Sequence, residues 1–298
     1  MRTTPRLDFS SLPRVNLPGI ELAYIERGQD GPLALCLHGF PDNATTWLPM
    51  LDALAAQGYR AIAPFMRGYY PSGQAADGNY TVEALAKDVL ALIDQFGKPD
   101  VEGHKTAVVI GHDWGGLAAY TAANMAPNSI SRLVISGTPH LHKVPFTLKQ
   151  LFRSWYILFF QLPCLPEWLV GRQQFQFLHR LYDSWAPQWT ANTSHLDSVK
   201  ASLSATGALS AALGYYRCMV RRTNRARWAT LSQQTTVPTL VFAGEVDGST
   251  GYELFRYTHD CYTQLSQLVK LSHCGHFPHL EEPERFAKEV LHFLSQSP

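Results

Sequence analysis

Position 113 is an aspartate at the centre of Gly111-His112-Asp113-Trp114-Gly115, directly after the apolar run Ala107-Val108-Val109-Ile110. Glycines two residues before and two after let a strand turn sharply into a helix, and the middle side chain is left standing on the bend. A carboxylate of ordinary pKa, about 4, is already ionised at neutral pH. It can therefore attack a saturated carbon without first losing a proton, which suits opening a strained ring or displacing a halide better than the acyl transfer of a serine.

Such a nucleophile needs a base, and the base needs an orienting acid. Both follow in the chain. Asp247 lies in Gly244-Glu245-Val246-Asp247-Gly248, just past the apolar run Thr239 to Ala243, and His276 lies in Ser272-His273-Cys274-Gly275-His276-Phe277-Pro278, just past Leu268 to Leu271. Taken singly, Asp247 reads as an Asp-Gly turn residue and His276 as a loop histidine. Taken together, nucleophile, acid and base each fall where a strand ends, the place where open α/β sheets bind ligands, and they predict a triad. His273, Cys274, His276 and His279 could suggest metal ligation, but no second ligand cluster accompanies them, so no metal and no cofactor are expected. His38-Gly39-Phe40-Pro41 follows another apolar run and reads either as a strand-ending turn or as a donor loop. In the second reading the backbone N–H groups of Phe40 and Trp114 form an oxyanion hole for the carbonyl oxygen of Asp113 itself.

These residues need a sheet to carry them. Strand signals at Gly19 to Arg27, Leu33 to Leu37, Tyr59 to Ala63 and Arg132 to Ser136 alternate with helix signals at Thr46 to Gln57, Thr81 to Phe96 and Leu117 to Met125. That alternation predicts a mostly parallel central sheet flanked by helices. From about His140 to Thr230 strand signals vanish and aromatic residues accumulate. The expectation is a core of residues 1–139 and 231–298 with a helical cap, 140–230, inserted into it. Strand and helix signals resume at Thr239 to Ala243, Glu253 to Tyr262, Leu268 to Leu271 and Pro283 to Leu294.

Composition narrows the partners. A net charge of +1 gives the whole chain no field that favours nucleic acid or an anionic membrane. Arg217, Arg221, Arg222, Arg225 and Arg227, at helical spacing, read as a solvated helix face. Five scattered cysteines without a Cys-x-x-Cys pair argue against a disulfide framework and for a reducing, cytoplasmic setting. The first residues lack the apolar core of a secretory signal. Trp155 to Val170 is broken by Gln161, Pro163, Pro166 and Glu167, so it falls short of the ~20 apolar residues of a membrane span. A monomer or a homodimer is expected.

Over nearly its whole length the sequence resembles the epoxide hydrolase branch of the α/β-hydrolase superfamily. The resemblance rests on His38-Gly39-Phe40-Pro41, Arg67-Gly68-Tyr69-Tyr70-Pro71-Ser72, Gly111-His112-Asp113-Trp114-Gly115-Gly116, Asp247 and Gly275-His276-Phe277. It implies two cap tyrosines that hold the epoxide oxygen. Tyr156, five residues before the glutamine of Phe160-Gln161-Leu162-Pro163, matches the first. Tyr215-Tyr216-Arg217 points to Tyr216 as the second, with Tyr215 as its rival. Substrate contacts are expected from His38, Pro41, Trp114 and Tyr215. Two departures from the family pattern, Phe65 in place of an acidic residue and Tyr70 in place of a glycine, bear on loop and pocket shape.

The expected reaction converts an apolar epoxide and water to a vicinal diol through an ester on Asp113. Asp113, Tyr156, Tyr216, Asp247 and His276 carry the chemistry. A haloalkane or haloacid dehalogenase with the same nucleophile is the nearest alternative, but such enzymes commonly have asparagine where Phe40 stands, or arginine after the nucleophile. A ligand-binding protein without turnover would have no reason to keep all three triad residues.

Overall fold

The computed structural model describes residues 7–220 and 228–296. Eight strands form one sheet: β1 (Arg14–Leu17), β2 (Ile20–Arg27), β3 (Leu33–Leu37), β4 (Arg60–Pro64), β5 (Ala107–His112), β6 (Ile130–Ser136), β7 (Thr239–Gly244) and β8 (Leu265–Leu271). Their order across the sheet is β1-β2-β4-β3-β5-β6-β7-β8. β1 and β2 pair antiparallel, as do β2 and β4; all other neighbours run parallel. Every residue of β3, β5 and β7 is buried, as strands covered by helices on both faces must be. The ends of these central strands deliver the candidate chemistry.

Helix Val82–Phe96 fits its sequence signals closely. The Thr81 hydroxyl accepts from the Ala84 N–H, Gly97 ends the helix, and the apolar stripe from Val82 to Phe96 is buried. Helix Trp114–Met125 starts directly after Asp113, three residues before the periodicity predicts. Gly115 and Gly116 weaken the helical signal there, yet a Cβ at Gly115 would run into the carbonyl of Leu37. The glycine lets the helix press against the end of β3. β1 has no counterpart in the sequence reading, because four residues between Pro13 and Pro18 are too few to show a period. The expected helix Glu253 to Tyr262 is split into a 3-10 turn, Tyr252–Phe255, and a short helix, Thr258–Cys261.

Between β6 and β7 the described residues contain no strand. They form helices Leu148–Arg153, Trp155–Phe159, Leu165–Gly171, Gln176–Trp185, Thr193–Leu203, Ala208–Val220 and Trp228–Leu231. Arg217 corrects one expectation. Instead of lying on a solvated face, it pairs with Glu167 at 2.7 Å and donates to the carbonyls of Phe160 and Leu162, each at 3.0 Å. Arg221, Arg222, Arg225 and Arg227 lie outside the described residues.

The loop after β4 is fixed by a buried ion pair. Arg67 donates through Nε and Nη2 to both Asp88 oxygens at 2.6 Å and through Nη1 to the carbonyl of Asn79 at 2.7 Å. Removing one member of such a pair leaves the other charge buried and alone. Asp88→Ala should therefore cost about 3–5 kcal/mol in urea unfolding, whereas replacing Arg67 and Asp88 together with methionine and leucine should cost much less.

Candidate active site

Asp113 adopts φ +50°, ψ −118° at the turn between β5 and its helix. Three contacts hold this strained backbone. The Asp113 N–H donates to the Ser136 carbonyl at 3.2 Å, the Leu117 N–H to the Asp113 carbonyl at 3.0 Å, and the Thr138 hydroxyl to that same carbonyl at 2.9 Å. The carboxylate is engaged asymmetrically. Its Oδ1 accepts from the Phe40 N–H at 2.8 Å, while Oδ2 lies 3.8 Å from His276 Nε2. Gly39 is what allows the loop after β3 to come so close, since a Cβ there would overlap the Asp113 side chain.

His276 is fully buried, and its Nδ1 donates to Asp247 Oδ2 at 2.9 Å. The other Asp247 oxygen accepts from the N–H groups of Ser249 and Thr250, both at 2.7 Å. Burial disfavours charge on the His276 ring, but Asp247 and then Asp113 outweigh it and hold the pKa up at about 10. One imidazole thus sits between two carboxylates. Among the described residues its Nε2 has no well-formed hydrogen bond.

A wall of rings closes over the carboxylate. Trp114 and Tyr216 meet edge to face at 5.0 Å, Phe40 and Tyr216 at 5.5 Å, and Tyr156 and Tyr216 at 5.8 Å, while Trp185 lies 5.0 Å from Tyr156 and 5.1 Å from His276. Tyr156 and Tyr216 are buried, which pushes both phenols above their ordinary pKa, and the charge of Asp113 adds to the effect. The Tyr156 hydroxyl is 3.1 Å from the Ser249 hydroxyl. Among the described residues the Tyr216 hydroxyl has no well-formed hydrogen bond, although the Trp114 side chain is near enough to act on it. Both phenols stay protonated at neutral pH and can donate.

Other predicted residues make further contacts of their own around this wall, where the Tyr215 ring meets Trp114 at 5.5 Å. The Tyr215 hydroxyl donates to the Arg67 carbonyl at 2.7 Å, and its ring stacks with Tyr80 at 5.9 Å, so this side chain braces the loop after β4. His38, expected at the substrate, has both ring nitrogens occupied: Nδ1 donates to the Gly39 carbonyl and Nε2 accepts from the Met66 N–H, each at 3.0 Å. It supports the donor loop from behind. Pro41 is buried beside Phe40. His279 does not gather with the exposed His273; it lies with Asp42 and His112, and the Thr46 hydroxyl is 2.8 Å from its Nε2.

Several contributors carry no sequence signal. The carbonyl of Trp185 accepts from the N–H groups of both Gly248 and His276, at 3.1 and 3.0 Å, and so ties the helical segment to the loops after β7 and β8 at once. Glu281 accepts from the N–H groups of Gly275 and Phe277 at 2.7 and 2.8 Å and clamps the histidine loop. Gln161 donates to the carbonyls of Ile157 and Tyr216, at 2.8 and 3.2 Å, which bridges the helices bearing the two tyrosines.

Residues 32–283 match the family profile of the α/β hydrolase fold, and the chain belongs to that family. Among its relatives is an AB hydrolase superfamily protein, YfhM, from Bacillus subtilis, 29% identical over 94% of this chain and 96% of the relative. Another is human epoxide hydrolase 4, 28% identical over 98% of this chain and 80% of its own. The crystal structure of epoxide hydrolase A from Mycobacterium thermoresistibile superposes with a TM-score of 0.81 at 25% identity, covering 95% of this chain and 98% of that one.

Two titration behaviours follow. Removing the Asp113 charge takes away part of what raises His276, so Asp113→Asn should lower its pKa from about 10, as read by imidazole NMR. Burial also depresses His38 and His112 to about 4, His140 to about 3, and His279 below its ordinary value. Their unfolded counterparts take up protons near pH 6.5. Stability should therefore fall as pH drops from 6.5 towards 4, with unfolding at pH 5 taking up about three to four protons. His276 acts in the opposite sense. Its contribution is complete below pH 6.5 and is lost as pH rises towards 10. Urea midpoints across pH 4.5–10 would show both slopes.

Proposed function

We propose that this protein hydrolyses an apolar epoxide to a vicinal diol in two steps, without a cofactor, by means of an ester on Asp113. The observation that carries the reading is the division of labour on that carboxylate: one oxygen is already held by the Phe40 N–H and the other faces His276. Oδ2 attacks an epoxide carbon, and the C–O bond of the ring breaks. Tyr156 and Tyr216 hydrogen-bond the oxygen as it gains charge and supply its proton. Oδ1 becomes the ester carbonyl oxygen in a donor site it already occupies.

The ester removes a negative charge from beside His276. With Asp113 neutralised, one of the two influences that raise the imidazole pKa is gone, so the ring can give up its proton, which restores the phenol spent in the first step, and act as a base. Oriented by Asp247, Nε2 then takes a proton from water as that water adds to the carbonyl carbon. The charge that forms on Oδ1 is stabilised by the Phe40 N–H and, in this proposal, by that of Trp114. Collapse breaks the bond between the carbonyl carbon and Oδ2, the imidazolium returns the proton it took from water to Oδ2, and the diol leaves with that oxygen.

The helices between β6 and β7 serve as the cap, since they bring both tyrosines over the nucleophile. Aromatic walls favour an apolar substrate. No described helix is long and apolar enough to cross a membrane, and the free thiols Cys36, Cys164, Cys261 and Cys274 support the cytoplasmic reading.

A single turnover of styrene oxide in heavy-oxygen water should put label into the Asp113 carboxylate and none into the first diol. Asp113→Asn should give no diol, and Tyr156→Phe or Tyr216→Phe should slow ester formation about a hundredfold. Halide release from bromoalkanes with no diol from any epoxide would overturn the assignment.

A further inference from the structure

The +1 balance of the whole chain conceals a strong segregation. Residues 140–230 hold eleven Lys and Arg against three Asp and Glu, a net of +8, while the remainder holds fourteen against twenty-one. The same segment exposes large apolar side chains: Phe146 is 80% exposed, Leu148 68%, Phe152 78%, Leu158 65% and Trp168 58%, and Trp155 is also exposed. Leu148, Leu151, Phe152, Trp155 and Leu158 recur at three- and four-residue intervals along the successive helices Leu148–Arg153 and Trp155–Phe159, so they share one outward face. Isolated surface leucines are ordinary; a ridge of neighbouring exposed Phe, Leu and Trp is not.

We infer that this ridge docks the protein on a membrane leaflet containing anionic phospholipid. Helices that lie in the interface have this composition, with Phe, Leu and Trp entering the boundary between headgroups and acyl chains and cations gathered around them. Tryptophan favours that depth. The Arg172 guanidinium lies 4.4 Å over the exposed Trp168 ring, so this segment also presents an apolar ring and a cation together. Charge decides against the obvious rival. Lys149, on the helix Leu148–Arg153, and Arg172, over the Trp168 ring, are both exposed, so a two-fold dimer through this face would bring like charges together, whereas an anionic surface complements them. The placement also has a chemical logic: buried Tyr156 lies on the same short helix as exposed Trp155 and Leu158, so its opposite sides face the candidate site and the bilayer.

Co-sedimentation of the full chain with vesicles tests this without any turnover measurement, so it stands or falls independently of the proposed reaction. Vesicles of phosphatidylcholine with 30% phosphatidylglycerol should bind the protein; pure phosphatidylcholine should bind at least tenfold less, and added salt should release it. The triple variant Leu148→Ser, Phe152→Ser, Leu158→Ser should lose at least tenfold in partitioning while keeping its melting temperature. No binding to anionic vesicles would overturn the inference. So would undiminished binding by the triple variant, or a solution dimer that dissociates in that variant while wild type ignores lipid.

Discussion

One imidazole held between two carboxylates in a pocket closed by aromatic rings is the constraint on which the rest of the site depends. Asp247 is permanently engaged, with two backbone N–H groups on one oxygen and the ring on the other. In the proposed reaction Asp113 is the member whose charge changes, because an ester there would neutralise it. A buried site makes that change count, since interactions between charges grow as water is excluded. In that reaction the pocket would couple the covalent state of one residue to the proton affinity of another 3.8 Å away.

Holding that geometry requires segments far apart in sequence. β3, β5, β7 and β8 each contribute a loop, and parallel pairing puts those loops at one edge of the sheet. The helical segment then locks onto them through backbone: the single carbonyl of Trp185 receives N–H groups from both the acid's loop and the histidine's loop. Displacing that helix would disturb Asp247 and His276 together. Arg67 links a third loop to the helical segment, because its carbonyl accepts the Tyr215 hydroxyl while its guanidinium is fixed by Asp88.

Much of this was legible in the amino-acid order because strand ends announce themselves. Asp113, Asp247 and His276 each follow an apolar run, and the structure brings them together as their order suggests. Only family resemblance singles out Tyr156 and Tyr216, since in a segment so rich in rings nothing local separates them from a tyrosine such as Tyr215, whose hydroxyl donates to a loop carbonyl. Contacts across long sequence distances, such as Gln161 to Tyr216 or Glu281 to the histidine loop, leave no periodic trace. β1 was too short to register. The charge segregation could have been counted from the sequence, but a whole-chain sum erased it.

The bracket formed by Gln161 and Arg217 has a consequence for substrate range. Gln161 reaches the backbone on both tyrosine-bearing helices, and Arg217, next to Tyr216, grips the carbonyls of Phe160 and Leu162. The spacing of the two phenols is therefore set by main-chain struts rather than by whatever enters between them. Selection among guests then falls to the portions distant from the three-membered ring. The enzyme would treat the oxirane as a fixed handle, and variation in size or branching would be sorted along the aromatic walls, where a side chain can change without loosening the grip on oxygen.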